Sequence, residues 1–178
     1  MTASVLIDAE PREVYEYFIR PEAMVLWMGQ RASLDPRPRG EFAVDVNGAD
    51  VRGQYVELDP PNRIVITWGF SGSDVLPPGA STVEVRLRAE GAGTRVMIVH
   101  RDLPESEAAK HAPGWPHFLR ELVTAVAVHR MRSPFEARRP PRRPRRGSSA
   151  YPAAPLPREA AAGRPAREAS GAEEQAWQ

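Results

Sequence analysis

Between Gly40 and Arg101 the apolar residues recur at every second position, whereas before and after that stretch they recur every three or four. Residues 3–7 (ASVLI) read as a short strand, and Asp8-Ala9-Glu10-Pro11 supplies an acidic helix start with proline near its first position. Val14, Tyr15, Phe18 and Ile19 then share one helical face. Arg20-Pro21-Glu22 interrupts that helix and restarts a second, carrying Met24, Leu26, Trp27 and Met28 up to Gly29. From Gly40 the alternation begins, with Phe42, Val44 and Val46 on one face and Glu41, Ala43 and Asp45 on the other. Asn47-Gly48 is a two-residue hairpin turn. Strands are predicted over Val51–Leu58, Arg63–Phe70, Thr82–Glu90 and Thr94–Arg101, with Asp59-Pro60-Pro61-Asn62 and Gly91-Ala92-Gly93 as turns. The Gly- and Pro-rich segment 71–80 is expected to be a flexible connection at a sheet rim. After a short polar helical stretch, Trp115, Phe118, Leu119, Leu122, Val123 and Val126 mark the one long amphipathic helix, of about 17 residues. An antiparallel meander followed by one long helix predicts an α+β domain whose sheet curls around that helix.

Composition divides the chain. Residues 1–132 hold 15 cationic side chains and 18 acidic ones, whereas residues 133–178 hold 9 Arg, 5 Glu, 8 Pro and 11 Ala. The overall charge of +1 therefore hides an acidic domain and a basic extension. So few apolar side chains cannot offset chain entropy, so the expected organisation is a domain over 1–132 and a disordered Arg/Pro/Ala-rich tail over 133–178. With no cysteine and four scattered histidines, the sequence offers no disulfide, thiolate nucleophile, zinc ribbon or iron–sulfur ligand set, and no cofactor is expected. The N-terminal residues lack a basic and an apolar signal region, and no apolar run approaches a membrane span. A cytoplasmic protein is the resulting expectation.

The segments Ile7–Gly29, Gly40–Phe70, Ser81–Pro104 and Gly114–Leu122 together carry a resemblance. In "ELDPPNRIVITW", "GAGTRVMIVH", the Trp closing the second helix and the Gly-Trp pair opening the last, the chain resembles the START-like (SRPBCC) superfamily. Within it, the similarity is to the group of homologues named after the activator of the heat-shock-protein-90 ATPase. That resemblance implies a helix-grip fold with a seven-stranded antiparallel sheet, and places the missing strand within Gln30–Asp35. It also implies a cavity under the last helix that in relatives holds lipids, polyketides or other apolar molecules.

On this basis Trp27, Phe42, Tyr55, Trp68, Val85, Met97, Trp115, Phe118 and Leu122 are the expected cavity lining, with core packing the competing account for each. The expected function is non-enzymatic binding of a small hydrophobic ligand. A cyclase or hydrolase in the same cavity would need an inward-facing acid and base, for which only Tyr55, Glu57 and His100 are candidates, Tyr55 and Glu57 being read as sharing a strand face with Gly53. No nucleophile or carboxylate stands at a spacing that would pair with His100. His111 and His117 straddle a break and lack a third ligand, so no metal site is expected. Arg86 and Arg88 fall on the polar face of their strand. A chaperone partner, as for the eukaryotic activator, is the third alternative, weakened by the lack of that protein's separate N-terminal domain. Six arginines within residues 138–146 could contact nucleic acid or anionic membrane, but no aromatic is interleaved, and a solvated tail is the simpler reading.

Overall fold

A computed structural model describes residues 1–136. Seven strands, β1 (Thr2–Ile7), β2 (Arg31–Leu34), β3 (Glu41–Val46), β4 (Ala49–Asp59), β5 (Arg63–Trp68), β6 (Ser81–Glu90) and β7 (Gly93–Arg101), form one antiparallel sheet in the order β1-β7-β6-β5-β4-β3-β2. The seventh strand lies at Arg31–Leu34, within the expected interval, and pairs with β3 through Arg31 opposite Asp45 and Leu34 opposite Phe42. Between β1 and β2 stand α1 (Pro11–Tyr15), a 3-10 turn at Glu16–Phe18 and α2 (Pro21–Met24). After β7 come α3 (Glu105–His111) and α4 (Gly114–Glu136). The sheet curves around α4, whose Trp115, Phe118, Leu119, Leu122 and Val126 are all buried. This is the helix-grip arrangement.

The local chemistry of the chain explains most boundaries. Asn47 and Gly48 both take positive φ, 50° and 87°, the pairing a tight β3–β4 hairpin requires. The helix α2 ends at Met24, shorter than the apolar run up to Met28 suggests. Beyond Met24 the amides of Leu26 and Trp27 bond three residues back, to Ala23 and Met24, so the chain tightens into turns before Gly29. α4 runs to Glu136, four residues beyond the composition break. The proposed disordered tail otherwise lies outside the described residues.

Segment 71–80 differs from its expectation. β5 ends at Trp68, and Phe70 instead forms an isolated bridge to Val51 while its amide donates to Leu76 O at 2.8 Å. Leu76 is buried, and a Cβ on Gly69 would lie 1.9 Å from Pro77 O, so only glycine permits the connection to fold back so closely. One apolar residue converts a Gly/Pro-rich rim into packed structure. Leu76→Ala should lower the unfolding free energy by about 2–5 kcal/mol, measured by denaturant titration. A change within ±0.5 kcal/mol would mean that the connection is not docked.

Candidate functional site

Alternation along β3, β5, β6 and β7 sends Phe42, Trp68, Val85 and Ile98 to the concave face, where α4 and the 18–28 segment close over them. The apolar chamber they form is lined by Phe18, Met24, Trp27, Met28, Phe42, Ile64, Ile66, Trp68, Val83, Val85, Ile98 and Trp115. Its aromatic rings touch edge to face or tilted: Phe18–Trp27 at 5.2 Å, Phe42–Trp68 at 5.9 Å and Trp68–Trp115 at 5.4 Å between centroids. The space left between these side chains is about 10 Å3, room for one water molecule at most.

Of the nine expected residues, Trp27, Phe42, Trp68, Val85 and Trp115 line the chamber. Tyr55, Phe118 and Leu122 are buried in the same core but do not line it. The Tyr55 hydroxyl donates to Phe18 O at 2.8 Å, and burial, the largest influence, pushes its pKa up. Met97 is a correction. It stands opposite Ser4 and Arg86 on the convex face, because Val96 and Ile98 take the concave positions and neighbouring strand residues point to opposite faces. Glu57 also departs from the expectation. A register shift between Tyr55 and Glu57 inserts Val56 as an extra residue, so Glu57 pairs with Val65 and faces outward, ion-paired to Arg63.

The expectation that His100 lacks a neighbouring nucleophile is overturned. Ser81 Oγ lies 2.9 Å from His100 Nε2, a diagonal cross-strand contact, since His100 stands opposite Val83. The directions of this network follow from one donor. The Trp115 indole N–H can only donate, and it donates to His100 Nδ1 at 3.1 Å. Nδ1 is therefore unprotonated, the neutral ring carries its proton on Nε2, and that N–H donates to Ser81 Oγ. The Ser81 hydroxyl in turn donates to Trp68 O at 3.0 Å. A serine nucleophile needs a bare ring nitrogen facing it, and here the hydrogen bond runs the other way.

His100 is 1% exposed, and burial, then the neighbouring His111 and the amino terminus, lower its pKa to about 3. A general base near neutral pH would need a pKa several units higher. His111 packs against His100 at 5.6 Å and against Phe70 at 5.7 Å, while His117 stands against Phe118, so the two helical histidines do not converge. Among the described residues no group of three metal-ligating side chains exists.

On the convex face Glu84 is a further buried polar group that strand alternation does not announce. It is 1% exposed and accepts hydrogen bonds from Arg63, Arg86 and Arg101. Those contacts, led by Arg86, hold its carboxyl at about 2, against the opposing effect of burial.

An apolar chamber gripped between a curved antiparallel sheet and a C-terminal helix defines a START-like, helix-grip protein. The chain belongs to the Activator of Hsp90 ATPase homolog 1-like protein family, whose model matches residues 8–127. Among solved structures it is similar to the AHSA1-like protein RHE_CH02687 from Rhizobium etli, with 30% identity over 86% of this chain and 92% of that one, TM-score 0.57. It is also similar to CalU16 from Micromonospora echinospora, with 27% identity over 76% and 80% of the two chains, TM-score 0.60. DynU16, from the dynemicin biosynthetic locus, shares the fold at 22% identity and TM-score 0.63, but this chain spans only 47% of its length. No curated protein matches in sequence. Among the described residues no helix is long and apolar enough to cross a membrane.

Acid should destabilise the fold in two separable windows. Above its ordinary pKa of 6.5, His100 is neutral in both folded and unfolded chains. Below 6.5 the unfolded chain binds a proton that the folded chain refuses until about pH 3. Stability then falls by up to about 1.4 kcal/mol per pH unit. Glu84 adds its loss only as pH drops below its ordinary 4.5 towards 2. His100→Gln should flatten the profile between about pH 6.5 and 5 while leaving the steeper acid limb, as measured by urea unfolding at stepped pH. An unchanged slope in that window would show that His100 does not titrate on unfolding.

Proposed function

We propose that the protein binds a small, apolar, ring-containing molecule in the chamber between the sheet and α4, and binds it without chemistry. The observation that carries this reading is the aromatic enclosure of Phe18, Trp27, Phe42, Trp68 and Trp115. Several polar atoms set into and behind it engage the protein itself: Tyr55 Oη on Phe18 O, Trp27 Nε1 on Tyr17 O at 3.0 Å, and the Trp115–His100–Ser81–Trp68 chain. A ligand is met by ring faces and methyl groups, so apolar area drives its binding. The same bonding pattern disfavours the cyclase or hydrolase alternative, because neither His100 nor Tyr55 offers a reactive lone pair or proton to a substrate.

With so little empty space, entry requires side chains to move. Met24 and Met28 are suited to this, being unbranched and adaptable, and both sit on the short segment after Pro21. A neutral probe such as naphthalene should quench tryptophan fluorescence saturably at one site per chain. Met28→Ala, which opens room inside the chamber, should tighten binding about tenfold, a gain of about 1.4 kcal/mol. Met97→Ala, on the opposite face, should leave it unchanged. Equal effects of the two substitutions, or quenching that never saturates, would remove the chamber as the binding site.

Membership of the family favours a second reading, contact with a chaperone ATPase. Adding the full chain to a heat-shock-protein-90 ATPase assay should then raise turnover in a dose-dependent way. A flat response would leave ligand binding alone.

A further inference from the structure

The convex face of the sheet carries an arrangement that the ligand chamber does not use. Glu84, at the middle of β6, is nearly inaccessible although it points away from the core, because three guanidinium groups cover it. Arg63 Nε and Arg86 Nε reach Oε1 at 2.7 and 2.8 Å, Arg86 Nη2 reaches Oε2 at 3.0 Å, and Arg101 Nη2 also bonds Oε2. Glu84, together with Glu57 on Arg63, can neutralise two of the three cations. A buried ion cluster of this kind is no more stabilising than apolar packing of similar volume, since desolvating the charges offsets much of their attraction. What the cluster does achieve is orientation. The carboxylate holds the neighbouring guanidinium groups against it through these hydrogen bonds.

Beside this cluster is an open concavity of about 720 Å3, lined by Asp59, Asn62, Arg63, Glu84, Arg86 and Arg88 among others. That volume lies in the range of small-molecule sites. Arg88 is exposed and makes no hydrogen bond or ion pair among the described residues. The carboxylates that oppose the arginines, Glu57 and Asp59, sit on β4 beside Arg63. On β6, Arg86 and Arg88 are flanked by the shared Glu84 and by Glu90, which is itself bonded to Arg95 opposite Arg88. Guanidinium groups held in place bind phosphate oxygens bidentately, and their prior ordering removes part of the entropy cost of binding.

We propose that Arg63, Arg86 and Arg88, the first two held by the buried Glu84, form a binding site for a small molecule bearing a diphosphate group on the convex face of the sheet. The site is independent of the apolar chamber, from which β5 and β6 separate it. Its occupant is recognised by multiple anionic oxygens rather than by apolar area.

The test is calorimetric titration of the full chain with inorganic pyrophosphate at fixed low ionic strength, alongside Arg88→Gln and Arg86→Gln. The expected result is saturable one-to-one binding, weakened about tenfold or more by each substitution, the loss of a charge-assisted hydrogen bond. Arg88→Gln is the decisive variant for affinity, because its exposed side chain contributes nothing to Glu84 and the fold tolerates its loss. Absence of saturable binding would overturn the proposal. So would full affinity in both variants, which would assign the anion to the arginines at 138–146. Tighter binding of a glutamate-rich peptide than of pyrophosphate would likewise overturn it, making the face a protein-docking surface.

Discussion

An indole N–H has no choice of role: it donates or it is unsatisfied. When Trp115, on the first turn of α4, donates to His100 Nδ1, it settles the protonation of the imidazole, the direction of the bond to Ser81 and the direction of the bond from Ser81 to Trp68 O. Four elements are tied in sequence, α4 to β7 to β6 to β5, through buried side chains. Such a network is strong when every member is satisfied and costly when one is not. The grip of the sheet on the helix therefore combines two different interactions. Apolar area along Phe118, Leu119, Leu122 and Val126 holds the helix to the sheet without fixing its register, and the Trp115 bond fixes where along the sheet the helix begins.

Much of the fold is legible because strand alternation and helix periodicity are local. Val83, Val85 and Leu87 against Glu84, Arg86 and Arg88 sort the two faces of β6 from the sequence alone, and Asn47-Gly48 marks its hairpin without any knowledge of the rest. Met97 shows the same rule misapplied, since Val96 and Ile98 on either side already claim the concave face. Other features require pairing information that no single segment contains. The bulge at Val56 depends on how β4 and β5 align, so Tyr55 and Glu57 read as companions until the register shift separates them. Ser81 reaches His100 only because β6 and β7 pair Val83 with His100, which no spacing along the chain encodes. The burial of Glu84 likewise depends on pairing, since the three arginines that converge on it come from β5, β6 and β7.

The two faces of the sheet follow opposite physical strategies. On the concave side, aromatic and branched side chains meet at high density, and the Trp115–His100–Ser81–Trp68 hydrogen bonds stay within the protein. On the convex side, charge is concentrated and held in place by a carboxylate withdrawn from water. A central strand such as β6 supplies both at once, Val83 and Val85 to one side and Glu84 and Arg86 to the other. Mutational effects on the two faces should consequently report on different things, packing on one and electrostatics on the other, even at adjacent positions.

The folded-back segment around Leu76 has a consequence for the histidine pair. Gly69 lets that segment lie against the sheet, Phe70 is anchored to it, and the Phe70 ring stands against His111, which stands against His100. The segment thus works as a gasket. Any side chain introduced at Gly69 would lift it, and water reaching the imidazoles would relax the desolvation that keeps His100 neutral. A residue with no side chain at all, inside what reads as the end of the strand Arg63–Phe70, governs how closely this segment covers the histidine pair.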